Sequence, residues 1–171
     1  MKGYLQIYTG DGKGKTTAAI GLAVRAAGGG FKVYMAQFMK LGDYGEIAAL
    51  RRLSDCITVE QFGTGRFIRG HPRPADIAAA RGGLERVREI LSDGDHQLVI
   101  LDEANVAAAC GLFSPVDLLD VVQARCEGVE MVLTGRQAAP ELIARADLVT
   151  EMKAIKHYYQ KGVRARHGIE K

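Results

Sequence analysis

No apolar run in the sequence comes near the roughly 20 residues that a membrane helix needs. The chain opens directly on a strand-like stretch, with no basic and apolar leader of the secretory kind before it. A soluble protein with no membrane partner is therefore expected. Cysteine is scarce: Cys56, Cys110 and Cys126 are odd in number and lack C-x-x-C spacing. That pattern argues against a disulfide framework and against zinc, and it predicts reduced thiols in the cytoplasm. Excess charge is lacking too. The net charge of +3 is too small to argue for a nucleic-acid partner, and none is expected. No internal repeat and no low-complexity linker interrupts the chain.

What remains is ordinary for a globular protein: 47% apolar and 25% charged residues in a chain of 171. One domain over 1–171 is expected, burying roughly 70% of the surface its unfolded chain exposes.

The chain is organised around Thr9-Gly10-Asp11-Gly12-Lys13-Gly14-Lys15-Thr16-Thr17. An alternating run from Tyr4 to Tyr8 reads as a strand before it, and Lys15 to about Ala27 reads as a buried helix after it. Strand, glycine-rich turn and helix N-terminus together make a phosphate cradle. Glycines let backbone N–H groups converge on an anion, and the helix end adds partial positive charge. Lys15 would set an ammonium on the phosphates, and Thr16 would offer a hydroxyl to magnesium. The usual pattern is G-x-x-x-x-G-K-[ST]. Anchored on Gly14-Lys15-Thr16, its first glycine falls at Thr9, and Gly10 comes one residue late.

A second signal is Gln97-Leu98-Val99-Ile100-Leu101-Asp102-Glu103, an apolar strand ending in two acids. P-loop proteins hold magnesium at such a place; the plainer reading makes Asp102 a helix cap. Further strands are expected over 32–38, 57–62, 130–134 and 148–152. Helices are expected over 46–53, 76–91 and 140–145, with Ser114-Pro115-Val116-Asp117 opening another. Gly82-Gly83 inside the second helix costs it roughly 1 kcal/mol per glycine, which suggests a close packing contact. The fold class is α/β: a P-loop NTPase (RecA-like) domain with a mainly parallel central sheet of about six strands flanked by helices.

Two arginines have two readings each. Arg25 is either a second cation near the phosphates or a surface arginine with a buried stem. Arg136, after the strand ending at Thr134, either faces the phosphates or is an ordinary surface residue. The stretch from Gly63 to Pro74 is long, glycine-rich and basic, with Phe67 and Ile68 exposed by context. Its functional reading is the binding of a large, flat, partly anionic or amide-rich ligand, and its plain reading is a mobile surface loop. His71 reads as a surface histidine. The tail, 153–171, has no period and either wraps the site or covers the sheet edge.

From the residues alone, three functions stay open. A hydrolase would use Glu103 to position water. A small-molecule kinase would need an acceptor pocket and a lid, for which the chain is short. A non-catalytic ATP-dependent switch would use its basic tail on a partner.

Thr9 to Ala19 resembles the signature of the ATP:corrinoid adenosyltransferases of the cobalamin-biosynthesis type, which also carry threonine at the first glycine position. The resemblance continues through Ala26-Ala27-Gly28, Gln37-Phe38-Met39-Lys40, Leu101-Asp102-Glu103 and Leu133-Thr134-Gly135-Arg136. It closes with Glu151, Lys156-His157, Gly162-Val163 and Gly168-Ile169-Glu170. It implies transfer of the 5′-deoxyadenosyl group of ATP to a Co(I) corrinoid, with release of triphosphate. Co(I) is itself the nucleophile, so no protein base is required. By the same resemblance, Thr9 to Thr17, Arg25 and Arg136 bind ATP, which lies reversed along the loop. Lys15, Thr16 and Glu103 carry the chemistry, and Thr16, Glu103 and nearby Asp102 hold Mg2+. The family uses bulky aromatics in the long loop to displace the lower axial ligand of Co(II). Here Arg66 and Ile68 stand at those positions, with Phe67 between them, so Phe67 or Ile68 is expected to face the corrinoid. A reduced flavin protein as electron donor and a homodimer are also implied.

Overall fold

The computed structural model describes residues 2–68 and 70–170, so Arg69 of the long loop and Lys171 of the tail lie outside it. Six strands form one sheet: β1 (Leu5–Thr9), β2 (Val33–Phe38), β3 (Ile57–Phe62), β4 (Leu98–Asp102), β5 (Glu130–Thr134) and β6 (Leu148–Glu151). Their order is β3-β2-β4-β5-β1-β6, and every pairing is parallel. All carboxyl ends of the strands therefore share one edge. The P-loop α/β class expected from the sequence is the class observed.

The sheet is buried on both faces because its strands are apolar on both. In β2 all six residues are buried. Val33 and Met35 pack on one face with Ala19 and Ala23 of α1 (Lys15–Gly28) and Leu50 of α2 (Gly45–Leu50). Tyr34, Ala36 and Phe38 point the other way, as the two-residue period of a strand requires. There they meet α3 (Pro74–Asp93), α4 (Ala104–Ala109), α5 (Pro115–Gln123) and, through Leu142, α6 (Pro140–Arg145). Ser114 caps α5, accepting from the Asp117 backbone N–H at 3.1 Å, while Asp117 accepts from Ser114 N at 2.7 Å.

Three expectations need correction. The helix read over 46–53 ends at Leu50, and Arg51–Leu53 continues as a 3-10 turn. The short helix α4 shows no period in six alanine-rich residues and was not foreseen. Of the glycine pair in α3, only Gly83 makes the close contact. A Cβ there would lie 2.6 Å from the Phe62 ring and 2.8 Å from Phe38, whereas one at Gly82 would meet nothing.

Candidate functional site

The glycine-rich loop leaves β1 at the shared carboxyl edge and runs straight into α1. Gly10 and Gly14 have φ of 93° and 120°, in the region that favours glycine. No side chain caps α1, so its first-turn N–H groups are left for a ligand. Lys15 turns inward. Its Nζ donates to the carbonyls of Gly10 at 2.8 Å and Gly12 at 2.6 Å, and the residue is only 8% exposed. Burial, with the charge of Arg136, pushes its pKa down. An ammonium partly stripped of water and held only by two carbonyls can exchange them for the oxygens of an anion.

β4 ends one strand away from β1, with β5 between them. Asp102 is fully buried and is the hub of the site. Its Oδ1 accepts from the Thr16 and Thr134 hydroxyls, both at 2.7 Å. Its Oδ2 accepts from Lys40 Nζ at 2.9 Å and Gln37 Nε2 at 3.2 Å. The bland reading of Asp102 as a helix cap is not what the structure shows, since the position before α4 is Glu103. Glu103 sits at φ 59°, and its N–H donates to Thr134 Oγ1 at 3.0 Å. Burial and the neighbouring Asp102 push the Glu103 pKa up, against the opposing pull of Lys40, Lys15 and Arg136. A hydroxyl and two carboxylates are hard oxygen donors, and magnesium binds through one or two carboxylates beside phosphate. The residues present fit that ion.

Lys40, Gln37 and Thr134 were not singled out as site residues from the sequence. Lys40 reaches Asp102 because Met39 takes φ 61° after β2 and turns the chain back. Gly63 packs against that turn; a Cβ there would lie 2.7 Å from the Lys40 nitrogen. Burial acts to lower the Lys40 pKa, but the carboxylates of Asp102, Glu103 and Glu46 together hold the group above its ordinary value. The described non-glycine residues with positive φ are Met39, Glu103 and Gln137. They follow β2, β4 and β5 respectively, so the backbone strain collects at the carboxyl edge, where strained residues mark functional sites.

The remaining motif residues divide. Thr9 Oγ1 accepts from Ala138 N at 3.4 Å, and Thr17 is exposed on the first turn of α1. Arg136 stands beside the loop, with Nη2 3.4 Å from the Asp11 carbonyl and Nε 3.8 Å from the Asp11 carboxylate. Arg25 is not brought to the loop. It is exposed in the last turn of α1, ten residues past Lys15, or about 15 Å along the axis. Lys13 points outward, into the tail.

The long loop is tied down at its base by a buried carboxylate. Asp76, 4% exposed at the start of α3, accepts from Thr64 Oγ1 at 2.7 Å, Arg73 N at 2.9 Å and Arg66 Nη2 at 3.1 Å. These bonds, that of Thr64 foremost, hold its carboxyl down at about 2. Arg66 is therefore bound to the protein itself. Ile68 packs on the core, whereas Phe67 is 81% exposed. Of the two residues expected to face a flat ligand, only Phe67 presents its side chain to solvent. A concavity of about 540 Å³ lies at the opposite, amino edge among Lys2, Arg125 and Arg145, away from every motif residue.

Among the described residues no helix is long and apolar enough to cross a membrane. The family model for ATP:corrinoid adenosyltransferase BtuR/CobO/CobP matches residues 1–170. The corrinoid adenosyltransferase of Pseudomonas aeruginosa is 38% identical over 170 residues, covering 99% of this chain and 84% of its own. Those of Escherichia coli K12 and Salmonella typhimurium are each 32% identical over 171 residues, covering 99% of this chain and 86% of theirs. The chain belongs to the ATP:corrinoid adenosyltransferase family, a family of transferases that adenosylate corrinoids with ATP. The kinase and switch readings find no support.

Proposed function

We propose that this chain binds the triphosphate of ATP in the Gly10–Gly14 loop and presents the 5′ carbon of the ribose to the cobalt of a reduced corrinoid. The observation that carries this reading is the inward, desolvated Lys15. Its described partners are two loop carbonyls, which phosphate oxygens can replace. In the reaction the Co(I) electron pair attacks C5′. The C5′–O bond breaks, its electron pair leaves on the triphosphate, and cobalt ends as an alkylated Co(III). No protein base takes part, so the chain works by placement and by charge.

Each residue then has a physical task. Lys15 and the amides of Lys13 and Gly14 stabilise the negative charge growing on the leaving triphosphate; the Gly12 N–H expected to join them is already given to the Met152 carbonyl. Arg136, beside Asp11, adds a cation at the mouth of the loop. Thr16, Asp102 and Glu103 would hold Mg2+, which when bound neutralises triphosphate charge. Thr134 and Lys40 orient Asp102 for that work, as groups behind a metal ligand do. Phe67 is the apolar group free to meet the corrinoid face and displace its lower ligand, since Ile68 is committed to the core. Arg25, by its position, serves the fold or a neighbouring chain more readily than the loop.

The family resemblance also supports a homodimer, a reduced flavin protein as electron donor and a cytoplasmic setting. The deciding experiment mixes the protein with ATP, magnesium and chemically reduced cobalamin. Triphosphate and a light-sensitive cobalt–carbon product are expected. ADP with a phosphorylated acceptor, or ATP binding without turnover, would overturn the reading.

A further inference from the structure

The two lysines of the phosphate loop do different things. Lys15 points into the cradle, but Lys13 points out of it, to the last residues of the chain. Its Nζ donates to Tyr158 Oη at 2.9 Å, to the Ile169 carbonyl at 3.2 Å and to Glu170 Oε1 at 2.8 Å. An ammonium has three donors, and all three are taken. The same cation lies 5.6 Å from the Tyr158 ring centre. Glu170 is in turn clasped by Arg166, from Nη2 to Oε1 at 3.0 Å, from Nε to Oε2 at 3.2 Å and from the backbone N–H to Oε2 at 2.8 Å. The Tyr158 hydroxyl donates to Glu170 as well. The Glu170 side chain is only 17% exposed.

The tail also begins at the loop. Met152 N donates to the Thr9 carbonyl at 2.9 Å, and Gly12 N donates to the Met152 carbonyl at 2.6 Å. A Cβ at Gly10 or Gly12 would lie 2.5 or 2.6 Å from that carbonyl oxygen. The segment 152–170 therefore starts on one side of the loop and returns to it through Lys13. It is a strap fastened at both ends to the element that would bind phosphate.

We propose that Glu170 is a positioning residue for the phosphate loop: by holding Lys13 it closes the strap and fixes the outer arm, Asp11 to Gly14, in the shape that receives the triphosphate. Lys13 is on this account a fastening and not a phosphate ligand. The inference rests on the ATP site proposed above. It makes Lys13 and Glu170 one functional unit, and it places their effect on ATP binding, not on the transfer step.

The test measures ATP affinity by calorimetry, and kcat and KM with chemically reduced cobalamin, for the unaltered protein, Glu170→Gln, Lys13→Met and the double variant. Each single change is expected to weaken ATP binding and raise its KM by about 5–10-fold with kcat within about twofold, and the double variant to be no worse than either, because both remove the same contact. Circular dichroism and the melting temperature identify any variant that fails to fold. In that event Lys13→Arg, which keeps the cation facing Glu170, is expected to retain the fold and most of the affinity. Tighter ATP binding in Glu170→Gln would overturn the proposal, since Glu170 would then be competing with phosphate for Lys13. So would additive losses, an unchanged KM, or a Lys13→Arg variant as impaired as Lys13→Met. If the unaltered protein binds no ATP, the nucleotide site itself is refuted, and that result is separate from any effect of the tail.

Discussion

The phosphate loop and the long loop after β3 sit on the same edge of the sheet but are built to opposite specifications. Around the first, Lys15, Thr16, Lys40, Gln37 and Thr134 converge through short bonds on loop carbonyls or on one buried carboxylate. The backbone there is strained and glycine-dependent. The second is held by Asp76 at its base, and its one free apolar group, Phe67, stands in solvent. On the proposed reading, the difference matches the two substrates. A triphosphate is small, highly charged and always the same shape, so a fixed cradle lowers the cost of binding it. A corrinoid is broad and must be met on a face, which suits a loop that presents an apolar tip to solvent.

The comparison breaks most visibly at Lys15. If the cradle supplies the charge stabilisation, Lys15→Ala lowers kcat by about 10²–10³-fold, the usual cost of removing a preorganised donor at the leaving charge. The fold should survive, because the lysine's present partners are loop carbonyls that water can satisfy. Steady-state assay with prereduced cobalamin reads the effect, and an unchanged kcat would put the nucleotide elsewhere.

Lys40 tests whether the hub is electrostatically balanced. Lys40→Met leaves Asp102, which is fully buried, short of its cation. Breaking a buried pair in this way costs roughly 3 kcal/mol. A magnesium ion at Asp102 can replace part of the missing charge. Melting curves of Lys40→Met should therefore rise on adding magnesium by more than those of the unaltered protein. Equal shifts would mean that the ion does not sit against Asp102.

These residues also mark how far the sequence could be read. The phosphate loop, the acid-tipped β4 and the parallel sheet were legible because each is written in neighbouring residues: a glycine pattern, an apolar run, a cap. Asp102 was found by its place at the end of a strand. Lys40 was not, because its reach depends on the backbone reversal at Met39, and methionine carries no turn signal. Arg25 was open to two readings, a phosphate cation or a surface arginine, and it stands exposed in the last turn of α1. α4 is too short to show a period. The tail shows none either, since what orders it is a contact between Lys13 and Glu170, residues 157 apart in the chain.

Phe67 sharpens the other side of the comparison. Phe67→Ala should leave ATP affinity unchanged, because the residue touches nothing in the cradle. Reaction starting from Co(II) with a reductant should slow by about 10-fold, equivalent to ~1.4 kcal/mol of barrier. Reaction from prereduced Co(I) should change by less than about twofold. Equal losses in the two assays would mean that Phe67 only helps hold the corrinoid and displaces no ligand.

The smallest expected effect is at Asp76, and its sign follows from titration. The bonds from Thr64, Arg73 and Arg66 hold the folded-state pKa down at about 2, whereas an unfolded aspartate titrates near roughly 3.9. A carboxyl with a depressed folded pKa contributes stability that is fully present above the unfolded value and is lost as pH falls through the folded one. The unaltered protein should therefore lose a part of its stability between about pH 4 and pH 2. Asp76→Asn should remove that part of the pH dependence, lower the melting temperature by a few degrees at neutral pH, and leave Lys15-dependent ATP binding intact. A fall in ATP affinity as large as the fall in corrinoid turnover would show that the two loops are mechanically coupled, and that the cradle draws part of its shape from the long loop.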